Sequence, residues 1–143
     1  MKTFTFAIHP YIIKKYNSLF DELIQEEQIT QIEIDVLAFL SNNPEYNHAQ
    51  DIVNRRGISK GHVSIAIEKL VSKHYVERQC DLTNRRCNTL KVTENAKDLV
   101  KKIQAIQRQF EAMAYQGMSQ EEIEEYHYWL RRVYRNLGGG EDE

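Results

Sequence analysis

The 143-residue chain holds only two prolines, two cysteines and six glycines. Two prolines leave long stretches free to be helical, since proline is what interrupts a helical hydrogen-bond ladder. No Gly/Ser-rich linker, internal repeat or low-complexity block divides the chain. No apolar run approaches the ~18 residues of a membrane-spanning helix. The opening MKTFTFAIHPYIIKKY has one early lysine but no sustained apolar stretch and no small-residue cleavage site, so no signal peptide is read. P-loop, G-x-S-x-G, HExxH and Rossmann glycine patterns are missing. His9, His48, His62, His74 and His127 show no spacing with cysteine or carboxylate that resembles a metal cage. These absences predict a cytoplasmic protein with reduced cysteines, no membrane partner, no cofactor, no metal and no enzymatic activity.

What is present is ordinary for a globular chain: 41% apolar and 28% charged residues, enough for one domain with a core or two small lobes sharing one. The net charge of −2 argues at first against a nucleic-acid partner, but its distribution argues for one. Between Asn47 and Thr93 lie nine Lys/Arg and four Asp/Glu, so this middle segment is +5 and the flanks together are −7. A basic lobe on an acidic body suits a polyanionic partner.

Helix starts are explicit. Thr30-Gln31-Ile32-Glu33 and Ser119-Gln120-Glu121-Glu122 are S/T-x-x-E capping boxes, and Asn47 with Gln50 is a weaker version. Ile32, Val36, Phe39 and Leu40 make an apolar helix face that ends before Asn42-Asn43-Pro44. Val63, Ala66, Ile67 and Leu70 make another after the turn Gly57-Ile58-Ser59. Two short helices, about 47–55 and 59–73, joined by a glycine-containing turn, form a helix-turn-helix. Tyr75–Cys80 and Cys87–Val92 read as strands around a polar turn, with Val76 and Leu90 or Val92 facing inward. Thr93 is the expected N-cap of the next helix.

A helix followed directly by a hairpin with arginines at its tip is the arrangement of a winged helix-turn-helix. The helix fills the major groove of double-stranded DNA and the tip reaches a minor groove. With Val63, Ala66, Ile67 and Leu70 inward, the outer face presents Ser59, Lys60, Gly61, His62, Ser64, Ile65, Glu68 and Lys69. Lys60 suits a phosphate or guanine, and His62 and Ser64 suit base edges. Gly61 either lets backbone approach phosphate or is simply a first-turn glycine. Ile65 suits a thymine methyl or, alternatively, the preceding helix. Lys69 extends the basic face. Arg85 and Arg86 suit a narrow minor groove.

The ends carry a third pattern. Leu99, Ile103, Ile106, Phe110 and Met113, then Ile123, Tyr126, Leu130, Val133 and Leu137, recur at alternating four- and three-residue spacings, and Ile12, Tyr16, Leu19 and Leu23 repeat it. A helix over 93–115 would be about 34 Å long and would outreach a small lobe. Its far end then packs on a second copy, making a homodimer, or on its own hairpin partner.

From Thr30 to Leu137 the chain resembles the MarR (multiple antibiotic resistance regulator) family of bacterial transcription factors. The similar segments are ITQIEIDVLAFL, ISKGHVSIAIEKLVSKHYVER, DLTNRRCNTLKVTENAKDLV and GMSQEEIEEYHYWLRRVYRNL. Asp81, Arg85 and Arg86 fit the family's wing, while Asn84 stands where Asp is usual, Thr83 where a charge is usual, and Ile65 where a polar or basic residue is usual.

The resemblance implies a cytoplasmic, homodimeric regulator, in the repressor sense, that binds a palindromic operator and is released by a small aromatic effector. The effector would sit in a crevice between lobe and dimer helices. Tyr11, Tyr16, Phe20, Tyr46, Tyr115 and Trp129 are aromatic candidates to line it, although at helical spacing most belong to core or dimer seam. The expected fold is mainly α with a small β-hairpin wing (α+β). Residues 30–92 form the winged helix-turn-helix DNA-binding lobe, 1–29 and 93–137 are N- and C-terminal dimerisation helices, and 138–143 is a disordered tail. Two alternatives stand beside it. One is a winged-helix protein-interaction module, an adaptor or antirepressor without DNA binding. The other is a redox sensor in which Cys80 and Cys87, facing each other across the hairpin, form a reversible bridge.

Overall fold

The computed structural model describes residues 5–81 and 86–140, with the side chains of Asp81, Arg86 and Cys87 outside the described residues. After a 3-10 turn at Thr5–Ala7 come α1 (Ile8–Ser18), α2 (Asp21–Glu27), α3 (Gln31–Asn42), α4 (Ala49–Arg56) and α5 (Lys60–Ser72). An antiparallel hairpin follows, β1 (Val76–Asp81) and β2 (Arg86–Val92). A 3-10 turn at Glu94–Ala96 then leads into α6 (Lys97–Ala114) and α7 (Gln120–Asn136). This mainly helical fold with one small hairpin is the winged-helix arrangement expected from the sequence. Among the described residues no helix is long and apolar enough to cross a membrane.

Helix α3 is the centre. Its apolar positions are not confined to one stripe, and Ile34, Val36, Leu37, Ala38, Phe39 and Leu40 are all buried. Helices α5 and α6 and strand β2 pack around it. From α5 come Val63, Ala66, Ile67 and Leu70, all buried, as the sequence periodicity predicts. Phe20, Leu23, Ile29, Ile52, Val76, Leu90, Ala96, Leu99 and Ile103 complete the core. The 4-3 seam of α6 is thus only half used. Leu99 and Ile103 are buried, Ile106 and Phe110 are partly covered, and Met113 is 45% exposed.

The Thr30 capping box does more than start α3. Thr30 donates its backbone N–H and its hydroxyl to Glu33 Oε2 at 3.0 and 2.6 Å, and the Glu33 amide donates back to Thr30 Oγ1 at 3.2 Å. Lys73, just past the end of α5, donates to the other Glu33 oxygen at 3.0 Å and to the Gln28 carbonyl at 2.7 Å. Burial opposes ionisation of Glu33, but the bonds from Thr30 and Lys73 outweigh it and hold the carboxyl below its ordinary value. The Glu33–Lys73 pair therefore joins the end of α2, the start of α3 and the end of α5.

Three local expectations need correction. Helix α4 starts one residue later than the Asn47–Gln50 pairing implied: His48 is the N-cap, and its backbone N–H donates to Asp51 Oδ2 at 3.0 Å. Asn47 instead accepts from the amide of Leu90. Thr93 occupies its N-cap position but gives no side-chain cap; its hydroxyl donates to the His74 carbonyl. Helix α6 consequently begins at Lys97, and its 18 residues span about 27 Å. At the other end of α5, Tyr75 and His74 donate back to the carbonyls of Leu70 and Val71 with His74 at φ +62°, a Schellman stop without the usual glycine.

Two stability predictions follow from these contacts. Lys73→Met should cost about 2 kcal/mol at neutral pH, the scale of a hydrogen bond to a charged group. A carboxyl held below its ordinary value contributes stability above that value and loses it as pH falls. The gap between wild type and Lys73→Met should therefore close as pH drops below ~4.3, as urea unfolding across pH 3–7 would record. Gly57, between α4 and α5, has φ +64° with nothing near the position of a Cβ. Gly57→Ala should cost ~1 kcal/mol from backbone strain alone, with Gly57→Asn milder in thermal unfolding.

Candidate nucleic-acid interface

The α4–turn–α5 unit is set by its two ends. Gly57 closes α4 in the left-handed conformation, and the Ile58-Ser59 link turns the chain into α5. Ser59 is the N-cap: its Oγ accepts the His62 amide at 3.3 Å and lies 2.8 Å from His62 Nδ1. Burial of Val63, Ala66, Ile67 and Leu70 then leaves Ser59, Lys60, Gly61, His62, Ser64, Ile65, Glu68 and Lys69 exposed together on the outer face. Ile65 is 59% exposed, so the contact with the preceding helix that its chemistry would also suit is not what holds it.

The hairpin stands beside this face. Its register pairs Val76 with Val92, Arg78 with Leu90 and Gln79 with Thr89, then shifts so that Asp81 pairs with Arg86. The shift is a bulge: Cys80 lies against the two residues Cys87 and Asn88, a device that bends a hairpin and sharpens its twist. Cys80 is disulfide-bonded, and the chain's other cysteine is Cys87. Reduced cysteines, expected from the predicted compartment, are therefore not what the structure has. Arg85 lies outside the described residues, as does the side chain of Arg86, so the two wing arginines are placed by sequence alone.

Two contacts at this surface were not foreseen. Arg78 of β1 forms an ion pair with Glu68 on the exposed face of α5, tying hairpin to helix. Arg55 lies over the Tyr46 ring at 3.6 Å from its centroid. Neither pair has a sequence signal, because their members lie nine or ten residues apart across different elements. Strand β2 is also joined to the segment before α4, through Leu90 N–H to Asn47 O at 2.8 Å and a bridge between His48 and Thr89.

Behind the lobe, where α1, α3, α4 and α6 meet, is a cavity of about 600 Å³ with a mixed apolar and polar lining that includes Tyr16, Asp35, Asn42, Arg56, Gln107 and Phe110. Burial pushes the Asp35 carboxyl up, against a hydrogen bond from Gln31 and the charge of Arg56, whose guanidinium lies 3.5 Å away. Gln107 donates to Tyr16 Oη at 3.0 Å. An apolar cavity of about 420 Å³ adjoins it, lined in part by Tyr11, Ile12, Phe110, Met113, Tyr115 and Tyr126. Of the aromatic candidates, Tyr11, Tyr16 and Tyr115 thus line a crevice. Phe20 is fully buried core, Tyr46 is stacked on Arg55, and Trp129 is exposed on α7. Among the described residues no three His, Cys, Asp or Glu side chains converge to hold a metal ion.

Residues 27–86 match the model of the MarR family. The whole fold is similar to a MarR family transcriptional regulator from Silicibacter pomeroyi, with TM-score 0.82 and 16% identity over 94% of this chain and 90% of that one. It is similar also to a Listeria monocytogenes chain described as a MarR family transcriptional regulator complexed with 26mer DNA (TM-score 0.77, 19% identity, 100% of both chains). A third is Bordetella bronchiseptica BpsR, whose DNA binding is regulated by 6-hydroxynicotinic acid (TM-score 0.69, 20% identity, 89% of this chain and 96% of that one). The similarity to the MarR family is thus carried by residues 27–86, and the chain as a whole has the fold of these solved structures.

Proposed function

We propose that the protein is a homodimeric, DNA-binding transcriptional regulator of the repressor kind. The observation that carries this reading is the outer face of α5. Lys60, His62, Ser64, Ile65 and Lys69 are exposed together beside a hairpin, and the helix start is capped from behind by Ser59. A capped helix N-terminus presents amides to phosphate while its first turns reach base edges. Arg85 and Arg86 are the minor-groove contacts in this reading. The DNA complex of the Listeria relative supports the same partner.

The homodimer is supported by the terminal helices. No residue of α1 or α7 is fully buried, and the large apolar side chains left exposed gather there: Ile8, Tyr11 and Ile13 on α1, Trp129, Leu130 and Tyr134 on α7. Large apolar side chains gathered on exposed helices mark an interaction surface. Two lobes related by a two-fold axis read an inverted repeat with half-sites about one helical turn apart. In this division residues 30–92 bind DNA, while 1–29 and 93–137 dimerise. The crevice between them takes a small aromatic effector, whose hydroxyl or acid group meets Arg56 and Tyr16; regulation of BpsR by 6-hydroxynicotinic acid is the supporting precedent. A redox-sensitive wing is a second reading, favoured by the disulfide at Cys80.

Selection from a random duplex-DNA pool should enrich an inverted repeat; a folded, ligand-free protein that enriches nothing would favour the protein-interaction reading instead. On the enriched operator Lys60→Ala should lower the slope of log affinity against log salt by about 1. Arg86→Ala should weaken binding with dimerisation intact. Leu130→Glu should shift sedimentation from dimer to monomer while circular dichroism keeps its helical content. Should the wing be redox-sensitive, operator affinity measured with and without dithiothreitol will differ.

A further inference from the structure

We infer that Ser59 fixes the ring of His62 so that His62 selects the base at one operator position, by offering a hydrogen-bond donor from Nε2. The inference rests on the DNA-binding reading above and adds to it the chemistry of one base contact. His62 stands at the N3 position of α5, where a capping box ordinarily has Glu or Gln. Here the partner of the cap is an imidazole. Ser59 Oγ accepts the backbone N–H of His62 at 3.3 Å, and the same oxygen lies 2.8 Å from Nδ1.

A serine hydroxyl has one hydrogen to give and two lone pairs. One lone pair is taken by the backbone amide, and in the proposed arrangement the hydroxyl hydrogen, rather than the second lone pair, faces Nδ1. In the neutral ring Nδ1 is then the acceptor and the proton resides on Nε2. Among the described residues the ring makes no other hydrogen bond. Nδ1 is turned back to the helix start and His62 is exposed, so Nε2, across the ring, is left to the solvent side.

A donor in the major groove meets guanine O6 and N7, adenine N7 or thymine O4, whereas cytosine offers its own donor there. His62 therefore favours guanine and rejects cytosine at the position it faces. Ser59 acts as a positioning residue: it holds the ring and sets which nitrogen carries the proton.

The test uses the full chain and the operator selected above, at pH 8, with each half-site position varied through all four base pairs. Wild type should prefer guanine over cytosine roughly five- to tenfold at one symmetric pair of positions, and His62→Ala should reduce that ratio to within about twofold there while sparing the others. Ser59→Asn caps helices as well as serine, and its amide can still donate to Nδ1, so the preference should persist. Ser59→Asp also caps, but its carboxylate only accepts. It places the proton on Nδ1, leaves Nε2 an acceptor, and should move the preference to adenine or cytosine, whose amino groups donate.

The added charge of Ser59→Asp lowers affinity on every duplex and leaves the ratio between duplexes as the readout. A His62→Ala profile equal to wild type at every position overturns the inference while leaving the DNA-binding reading intact. So does a Ser59→Asp variant that keeps the wild-type preference. A wild-type protein that binds all duplexes alike, or none, overturns the DNA-binding reading and this inference with it.

Discussion

Helix α3 has apolar side chains out of water on most of its circumference, so several elements must be laid against it at once. Helix α5 covers one side, α6 another and β2 a third. Everything the lobe presents outward follows from which residues are used inward. Because Val63, Ala66, Ile67 and Leu70 are committed to α3, the intervening positions of α5 have nowhere to go but solvent. The Glu33 carboxylate then fixes the axial position of α5, since Lys73 reaches it only when the end of the helix sits over the start of α3. Apolar packing sets the rotation of α5, and one ionic contact sets its slide.

Burial is uneven along the chain, and the unevenness separates two kinds of surface. The helix-turn-helix, hairpin and first half of α6 close into a core that leaves few large apolar groups outside. Helices α1 and α7 and the second half of α6 do not. Tyr16, with its ring against both Phe20 and Phe110 at centroid distances of 5.0 and 5.2 Å, is the aromatic bridge between the regions. Beside it lies Asp35, a carboxyl that burial makes reluctant to ionise, next to Arg56 at the very end of α4. A polar cluster at that junction is coupled mechanically to the turn that starts α5, because only Gly57, Ile58 and Ser59 intervene.

Much of this was legible in the sequence, for reasons that differ by element. The cap at Thr30 and the periodicity of α5 are local signals, and both stand where the residues placed them. Both strands lie within one residue of their expected bounds, because alternation and a polar turn are also local. The start of α4 lies one residue later than the local pattern implies: the backbone carbonyl of Asn47 pairs with the Leu90 amide, forty-three residues away, and His48 is the N-cap. Thr93 gives no side-chain cap, its hydroxyl drawn to His74. The stop of α5 carries no glycine, so nothing in the sequence marked the left-handed residue there. The ion pair of Arg78 with Glu68, the stack of Arg55 on Tyr46 and the reach of Lys73 to Glu33 were invisible for a single reason. Each depends on how elements dock, and docking geometry is not written in any window of neighbouring residues.

The join between β2 and the segment before α4 bears on how such a lobe can move. Leu90 and Thr89 bond the hairpin to Asn47 and His48, and Arg78 bonds it to Glu68 from the other side. The hairpin is thus fastened at its base to both sides of the helix-turn-helix, and cannot swing like a flap on a free hinge. A movement at the root of this unit tilts helix and hairpin together, as a lever, and does not retract one while leaving the other extended. In the proposed dimer, the adjustable quantity would be the angle and distance between two such levers, set by the long helices at their root.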